Sequence, residues 1–209
     1  NLGKNNKVID ASLGLLHTCV IISGNNIKCF GLNYSGQLGY ENNKNIGISL
    51  SDMGNNLPIV NLGDNIKVLS IHSGSSADHT CIIILEPIEF YQKIKCWGSN
   101  YSYQLGYGDN NNRGDNKNEM GNNLEIINLG YESKVKQLSL GRYHTCILLL
   151  NDNMKCFGQG VDGQLASGSK RDMSKTGNLI PIVKIDSGKK IKSISTVNQH
   201  TCILYDDSI

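Results

Sequence analysis

The sequence predicts an all-β fold: a β-propeller built of four-stranded blades, of which these 209 residues supply about three and a half. Three observations carry that prediction. A unit opening on "HTC" occurs four times, at His17, His79, His144 and His200, spaced 62, 65 and 56 residues apart. Each unit divides into short stretches rich in Ile, Val and Leu, separated by Gly, Asn, Asp and Ser. None of these stretches keeps a helical period. Self-similarity in a fixed order marks propellers, solenoids and arrays. A spacing of about 60 residues suits a four-stranded blade with a sizeable loop better than a helical hairpin.

The elements follow in order. The first strand of a unit is "KVLSIHSG" and its counterparts, and the second is "HTCIIIL" and its counterparts. The third is "IKCFG", "KIKCWG" or "MKCFG", starting from Lys28, Lys95 and Lys155 as landmarks. "QL" then recurs at Gln37, Gln104 and Gln164. The fourth strand lies in "MGNNLPIVNLG", "MGNNLEIINLG" and the looser "MSKTGNLIPIVKI". The first two kinds occur four times and the last two three times. That divides the single domain, 1–209, into repeats at 7–62, 66–129 and 134–185, with an incomplete fourth at 190–209. A closed propeller needs whole blades, about four to eight of them, so the sequence reads as part of a longer chain, with any leader out of view.

Composition excludes several classes. The net charge is +2, and Lys and Arg are scattered among nearly as many acids, with no basic run. Nucleic acid is therefore not an expected partner. No apolar stretch approaches the length of a membrane span. Neither a phosphate loop nor a metalloprotease H-E-x-x-H occurs, and no catalytic residue, cofactor site or metal site is assigned.

The seven cysteines carry the sharpest local pattern. Cys19 and Cys29 flank a short turn centred on Gly24, which sets them opposite one another in an antiparallel pair, within disulfide reach. Cys146 and Cys156 repeat the spacing. Cys81 and Cys96 stand further apart because "EPIEF" lengthens the turn, and Cys202 is left unpaired in this stretch, its partner expected after Ile209. Cross-strand disulfides account for the number, the repetition and the leftover. Buried free thiols are the competing reading. Zinc fails for want of a C-x₂₋₄-C pair. Disulfides persist in oxidising compartments, so this reading places the chain outside the cell, at its surface or in a secretory lumen.

Three loop features invite a function. Arg113, Gly114 and Asp115 form an Arg-Gly-Asp on a polar loop, a candidate for adhesive contact. Asp109, Asn111, Asp115 and Glu119 offer oxygens to calcium but fail the order of an EF-hand. "NYS" makes Asn33 and Asn100 candidate glycosylation acceptors, although each asparagine also belongs to a recurrent turn.

"SLGRYHTC", "MKCFG" and "GVDGQLA" resemble the regulator of chromosome condensation repeat family. Gly14, His17 and Thr18 match the first part of its motif, and Phe30, Gly31, Asn33, Gly36, Gln37, Leu38 and Gly39 the second. The second copy keeps Trp97, Gly98, Asn100, Gln104, Leu105 and Gly106 but has Tyr103 for a glycine. The third has Gly160 for the asparagine and Ala166 for the last glycine. The resemblance implies a seven-bladed propeller, and its paired cysteines are similar to those of the extracellular and microbial branch. In this frame the glycines serve tight turns, Asn33 and Asn100 brace them, and the leucine of "QL" enters the core between blades. The "HT" histidines are expected to be structural, one per blade and spread around the wheel.

The expected function is a non-enzymatic, disulfide-stapled interaction or structural module. Protein partners, or further copies of the chain, would meet the long Asn-rich loops "YENNKNIGISLSDMGNNL" and "YGDNNNRGDNKNEMGNNL". The alternative is guanine-nucleotide exchange on a Ran-like small GTPase, the activity of the family's nuclear member.

Overall fold

The computed structural model describes residues 1–85, 92–131, 133–184 and 189–206. The "EPIEF" insertion and the final residues 207–209 lie outside them. Three antiparallel three-stranded sheets follow one another along the chain. The first holds β1 (Val8–Leu13), β2 (His17–Ile22) and β3 (Asn26–Gly31). The second holds β4 (Lys67–His72), β5 (His79–Leu85) and β6 (Gln92–Gly98). The third holds β7 (Val135–Leu140), β8 (His144–Leu149) and β9 (Met154–Gly158). The pair β10 (Lys190–Val197) and β11 (His200–Asp206) begins a fourth. Among the described residues the only helical elements are short 3₁₀ turns, at Leu50–Asp52, Gly54–Asn56, Gly121–Asn123 and Gly177–Leu179.

The sheets repeat in register. Cys19 faces Cys29, Cys81 faces Cys96 and Cys146 faces Cys156. Each pair is joined as a disulfide, with Cα atoms 4.1, 4.1 and 4.2 Å apart. Cys202 is a free, exposed thiol. The first strand of each sheet, β1, β4, β7 and β10, lies beside its counterparts and is the inner strand of its blade; each slips by one residue at the same place, after Val8, Val68, Val135 and Ile191. Such a bulge adds twist and re-aims the extra side chain.

The fourth stretch of each unit does not build a ladder. It docks on the third strand through one backbone bond: Val60 N–H to the Ile27 carbonyl (2.9 Å), Ile127 to Ile94 (3.0 Å) and Val183 to Met154 (2.8 Å). Its other carbonyls are taken by side chains. Tyr40 Oη lies 2.9 Å from the Cys29 carbonyl and 3.0 Å from that of Pro58, and Tyr107 Oη sits likewise between Cys96 and Glu125.

The core fills the layers between blades. Ile21, Ile27 and Leu38 of the first unit pack with Ile82, Ile84 and Trp97 of the second. Ile83, Ile94 and Leu105 of the second pack with Leu138, Ile147 and Phe157 of the third. Leu148, Met154 and Leu165 pack with Ile191 and Ile194. Alternate residues of each sheet thus supply both of its faces with apolar surface, and a blade is stable only against its neighbours.

Candidate functional site

The recurrent polar residues converge on the joints between blades. His17 Nε2 lies 2.9 Å from Thr80 Oγ1 of the next blade, His79 Nε2 2.9 Å from Thr145 Oγ1, and His144 Nε2 2.9 Å from Thr201 Oγ1. Each threonine hydroxyl donates back to the glutamine carbonyl of the preceding blade: Thr80 to Gln37 (3.1 Å), Thr145 to Gln104 (2.8 Å) and Thr201 to Gln164 (2.7 Å). A hydroxyl has one proton. With that proton on the carbonyl, histidine Nε2 must donate, and the neutral ring keeps its lone pair on Nδ1. The Nδ1 atoms of His17, His79 and His144 are buried without a partner. Burial holds their pKa values down, to about 4 for His17 and His144 and about 3 for His79. A His–Thr contact of this length resembles an activated nucleophile, but here the hydroxyl proton already points at a carbonyl, and the first two pairs are buried.

The histidines stand one per blade, each bonded to a threonine of the next blade, and His79 also feels the charges of His144 and His17. Gly14 and Gly141 make room for the rings: a Cβ there would stand 2.0 and 2.1 Å from the Cε1 atoms of His17 and His144.

The lysine before each cysteine forms a second joint. Lys28, Lys95 and Lys155 are only 4%, 4% and 6% exposed. Lys28 Nζ donates to the Leu2 (2.9 Å) and Gly54 (3.0 Å) carbonyls. Lys95 donates to Leu62 (3.1 Å) and Gly121 (3.3 Å), and Lys155 to Leu129 and Gly177, the latter at 3.3 Å. For Lys95 and Lys155 the first carbonyl closes the preceding unit and the second belongs to the lysine's own. Burial lowers the pKa of both. Sequence reasoning took these lysines as landmarks only. A cation recurring inside an apolar strand was the signal, since buried lysines need partners.

The "QL" turn behaves as expected. Leu38, Leu105 and Leu165 are buried. Asn33 Oδ1 accepts from Leu38 N–H, and Asn100 Oδ1 from Leu105 N–H, both at 2.9 Å. These bonds overturn the glycosylation reading. Asn33 and Asn100 are fully buried, and their Nδ2 atoms donate to the Asn42 carbonyl (2.6 Å) and to the Asp109 and Asn111 carbonyls (2.9 Å each). A glycan on either nitrogen would dismantle the turn.

The Arg-Gly-Asp is also structural. Arg113 pairs its main chain with Gly98 (2.8 and 3.2 Å), and its guanidinium grips Asp109 at 2.7 Å beside the Tyr107 ring. Gly114 is buried, and a Cβ on Gly36 would stand 2.5 Å from its carbonyl carbon. The tripeptide is wedged into the first joint rather than presented. Calcium fares no better: Asp109 is spent on Arg113, and Glu119 Oε2 accepts the N–H groups of Gly114, Asp115 and Asn116.

Loops 40–57 and 107–124 align without a gap. Their amides mostly brace their own backbone, as Asn42 does for Lys44 N–H and Asn45 for Asn33 N–H. Asparagine richness is turn chemistry here. Beside the second loop lies an open polar depression of about 550 Å³ that includes Tyr101 and Asn123. Two large apolar residues of the first loop are exposed, Ile48 (80%) and Leu50 (96%).

Residues 135–164 match the model of the Regulator of chromosome condensation (RCC1) repeat. The chain is 25% identical over 204 residues to the Ultraviolet-B receptor UVR8 of Arabidopsis thaliana, covering 96% of this chain and 40% of the receptor. Among solved structures, Prp20p from Saccharomyces cerevisiae matches with a TM-score of 0.65 at 17% identity, over 95% of this chain and 43% of that one. The CRINKLY ectodomain of the Arabidopsis thaliana receptor kinase ACR4 matches with a TM-score of 0.52 at 17% identity, over 96% of this chain and 50% of that one. These structural likenesses show the propeller fold. The chain spans less than half the length of UVR8 and of Prp20p.

Proposed function

We propose that this chain, an RCC1-repeat protein, is a segment of a disulfide-stapled β-propeller that works as a protein-interaction module in an oxidising compartment, at a cell surface or outside the cell. One observation carries the reading: each three-stranded blade places a cysteine pair directly opposite and joined. Disulfides are rare where glutathione keeps thiols reduced, and a unit that repeats one per blade is built for export. The likeness to the ACR4 ectodomain supports the same compartment. The joints described above spend their polar groups on structure, which leaves the loops and the two faces of the wheel for partners, other proteins or copies of the chain.

The test is alkylation mapping of the protein, denatured without reductant, as isolated from its own source. Cys19, Cys29, Cys81, Cys96, Cys146 and Cys156 should all resist alkylation. Free thiols at all six would sink the proposal. A second reading, nucleotide exchange on a Ran-like GTPase, is favoured by the likeness to Prp20p, whose structure was described with its binding to Gsp1p and histones. Adding the protein to a Ran-like GTPase loaded with fluorescent nucleotide separates the two. The interaction-module reading expects no acceleration of release.

A further inference from the structure

We propose that the starting end of the inner strands is a docking surface for an acidic, partly apolar segment of another protein. The proposal deepens the interaction-module reading and rests on it. All four inner strands begin at the same step: Lys7–Val8, Lys67–Val68, Lys134–Val135 and Lys190–Ile191. The bulge one residue later lifts a side chain out of the regular pairing in each strand. Those side chains are Ile9, Leu69, Lys136 and Lys192, and all four are exposed.

The inner strands lie side by side. The Ile71 N–H meets Asp10 Oδ2 at 3.5 Å, and Lys136 Nζ reaches the Ile191 carbonyl at 3.3 Å. The bulge residues therefore stand at one level of neighbouring strands. On the first two blades they are apolar: Ile9 is 65% exposed and Leu69 39%. On the last two they are lysines, with Lys190 beside them. The single acid on these four strands is Asp10, which faces Ile71. Asp152 at 3.0 Å offsets Lys136 and Asp206 stands opposite Lys190 in the β10–β11 register, whereas Lys192, lifted out of that register, projects from a strand that itself carries no acid.

The chemistry that fits is a carboxylate-bearing segment whose apolar residues cover Ile9 and Leu69 while its acids face the lysines. Nucleic acid fits less well. These strands hold no arginine for phosphate forks and no aromatic ring for base stacking, and half of the surface is apolar. Scattered exposed lysines are normal on any protein; four in one register, joined to an apolar half by a repeated bulge, are not.

The experiment measures fluorescence anisotropy of a labelled peptide of alternating Glu and Leu, with an all-Glu peptide, an oligonucleotide and anionic lipid vesicles as competitors. The alternating peptide should bind, and more weakly as salt rises. K190E/K192E should weaken binding by about tenfold or more, and K190Q/K192Q by less. I9S/L69S should lose affinity for the alternating peptide while leaving the all-Glu peptide unchanged. K170E/K175E, at the opposite end of the third blade, should bind as the unaltered protein does. Absence of peptide binding, binding indifferent to K190E/K192E, or displacement by oligonucleotide or vesicles at lower concentration than by peptide would each overturn the proposal. A protein that fails in this way yet keeps its three cysteine pairs joined loses this surface and not the interaction-module reading.

Discussion

Lys95 shows how far one residue can be read. A lysine paired across the sheet with Ile82 is expensive to bury unless its ammonium finds acceptors, and Lys95 finds the carbonyls of Leu62 and Gly121. Lys95→Met fills the same volume but strands both carbonyls. The expected cost is about 2–4 kcal/mol in urea denaturation, since each orphaned buried acceptor costs about 1–3 kcal/mol. A cost below 1 kcal/mol would mean the carbonyls have other partners. A glycine in the turn can be judged as well. Gly36 (φ 77°) is left-handed, and a Cβ there would stand 2.4 Å from Asp115 N of the next blade. Gly36→Ala should cost clearly more than the ~1 kcal/mol of a left-handed φ alone, because backbone must move. Tyr103 occupies the equivalent turn of the second blade with φ 64°. The loop of the third blade runs only from Met173 to Gly177, against Arg113 to Gly121 in the second, so less chain crowds that turn. Composition showed that Tyr103 departs from the pattern; the loop length that tolerates it was in the sequence too, four positions shorter.

At the scale of the element, most of the fold was legible. Strands announced themselves by β-branched runs between Gly and Asn, and the opposed cysteines set the register of each central pair. The fourth strand was not legible as what it is. "LEIINLG" has strand composition, yet its carbonyls go to Tyr107 and Lys155, residues distant in sequence, so a docked segment replaces a ladder. The Arg-Gly-Asp and the "NYS" sites misled because a motif states residue types, whereas burial is decided by packing: Asn33 and Asn100 are buried within their own turns, and Gly114 against Gly36 of the preceding blade. The covalent pairs permit a graded prediction. Cys19–Cys29 and Cys146–Cys156 span 10 residues and Cys81–Cys96 spans 15. Removing a pair as Cys→Ala should cost about 2–4 kcal/mol, with the longer loop losing a few tenths more by chain entropy. Equal or reversed ranking across the three double variants, measured by urea denaturation, would assign the stabilisation to packing around the sulfur rather than to loop closure.

The whole molecule is held by its joints, and the joints titrate. In the folded chain His17, His79 and His144 take up a proton only near pH 4, 3 and 4, whereas the free side chain does so at 6.5. The folded pKa is the lower one, so the histidines contribute their full stability above pH 6.5, where both states are neutral. As pH falls below 6.5 the unfolded chain binds protons that the folded chain refuses, and stability declines until the folded values are reached. Each histidine gives a slope of about 1.4 kcal/mol per pH unit, hence about 4 kcal/mol per unit for the three once pH is below about 6. The physical source is geometric: each Nε2–H is committed to a threonine of the next blade, and protonation would put a charge on a buried Nδ1 that has nothing to donate to. Urea denaturation at intervals between pH 7 and 5, above the range where most carboxylates titrate, should therefore show a steep loss of stability. His79→Gln should make the protein weaker at pH 7 yet reduce that slope by about a third, because one proton fewer is taken up on unfolding. A profile flat from pH 7 to 5, or a variant whose slope equals that of the unaltered chain, would mean that the rings can accept a proton where they stand and that the inter-blade bonds run the other way round.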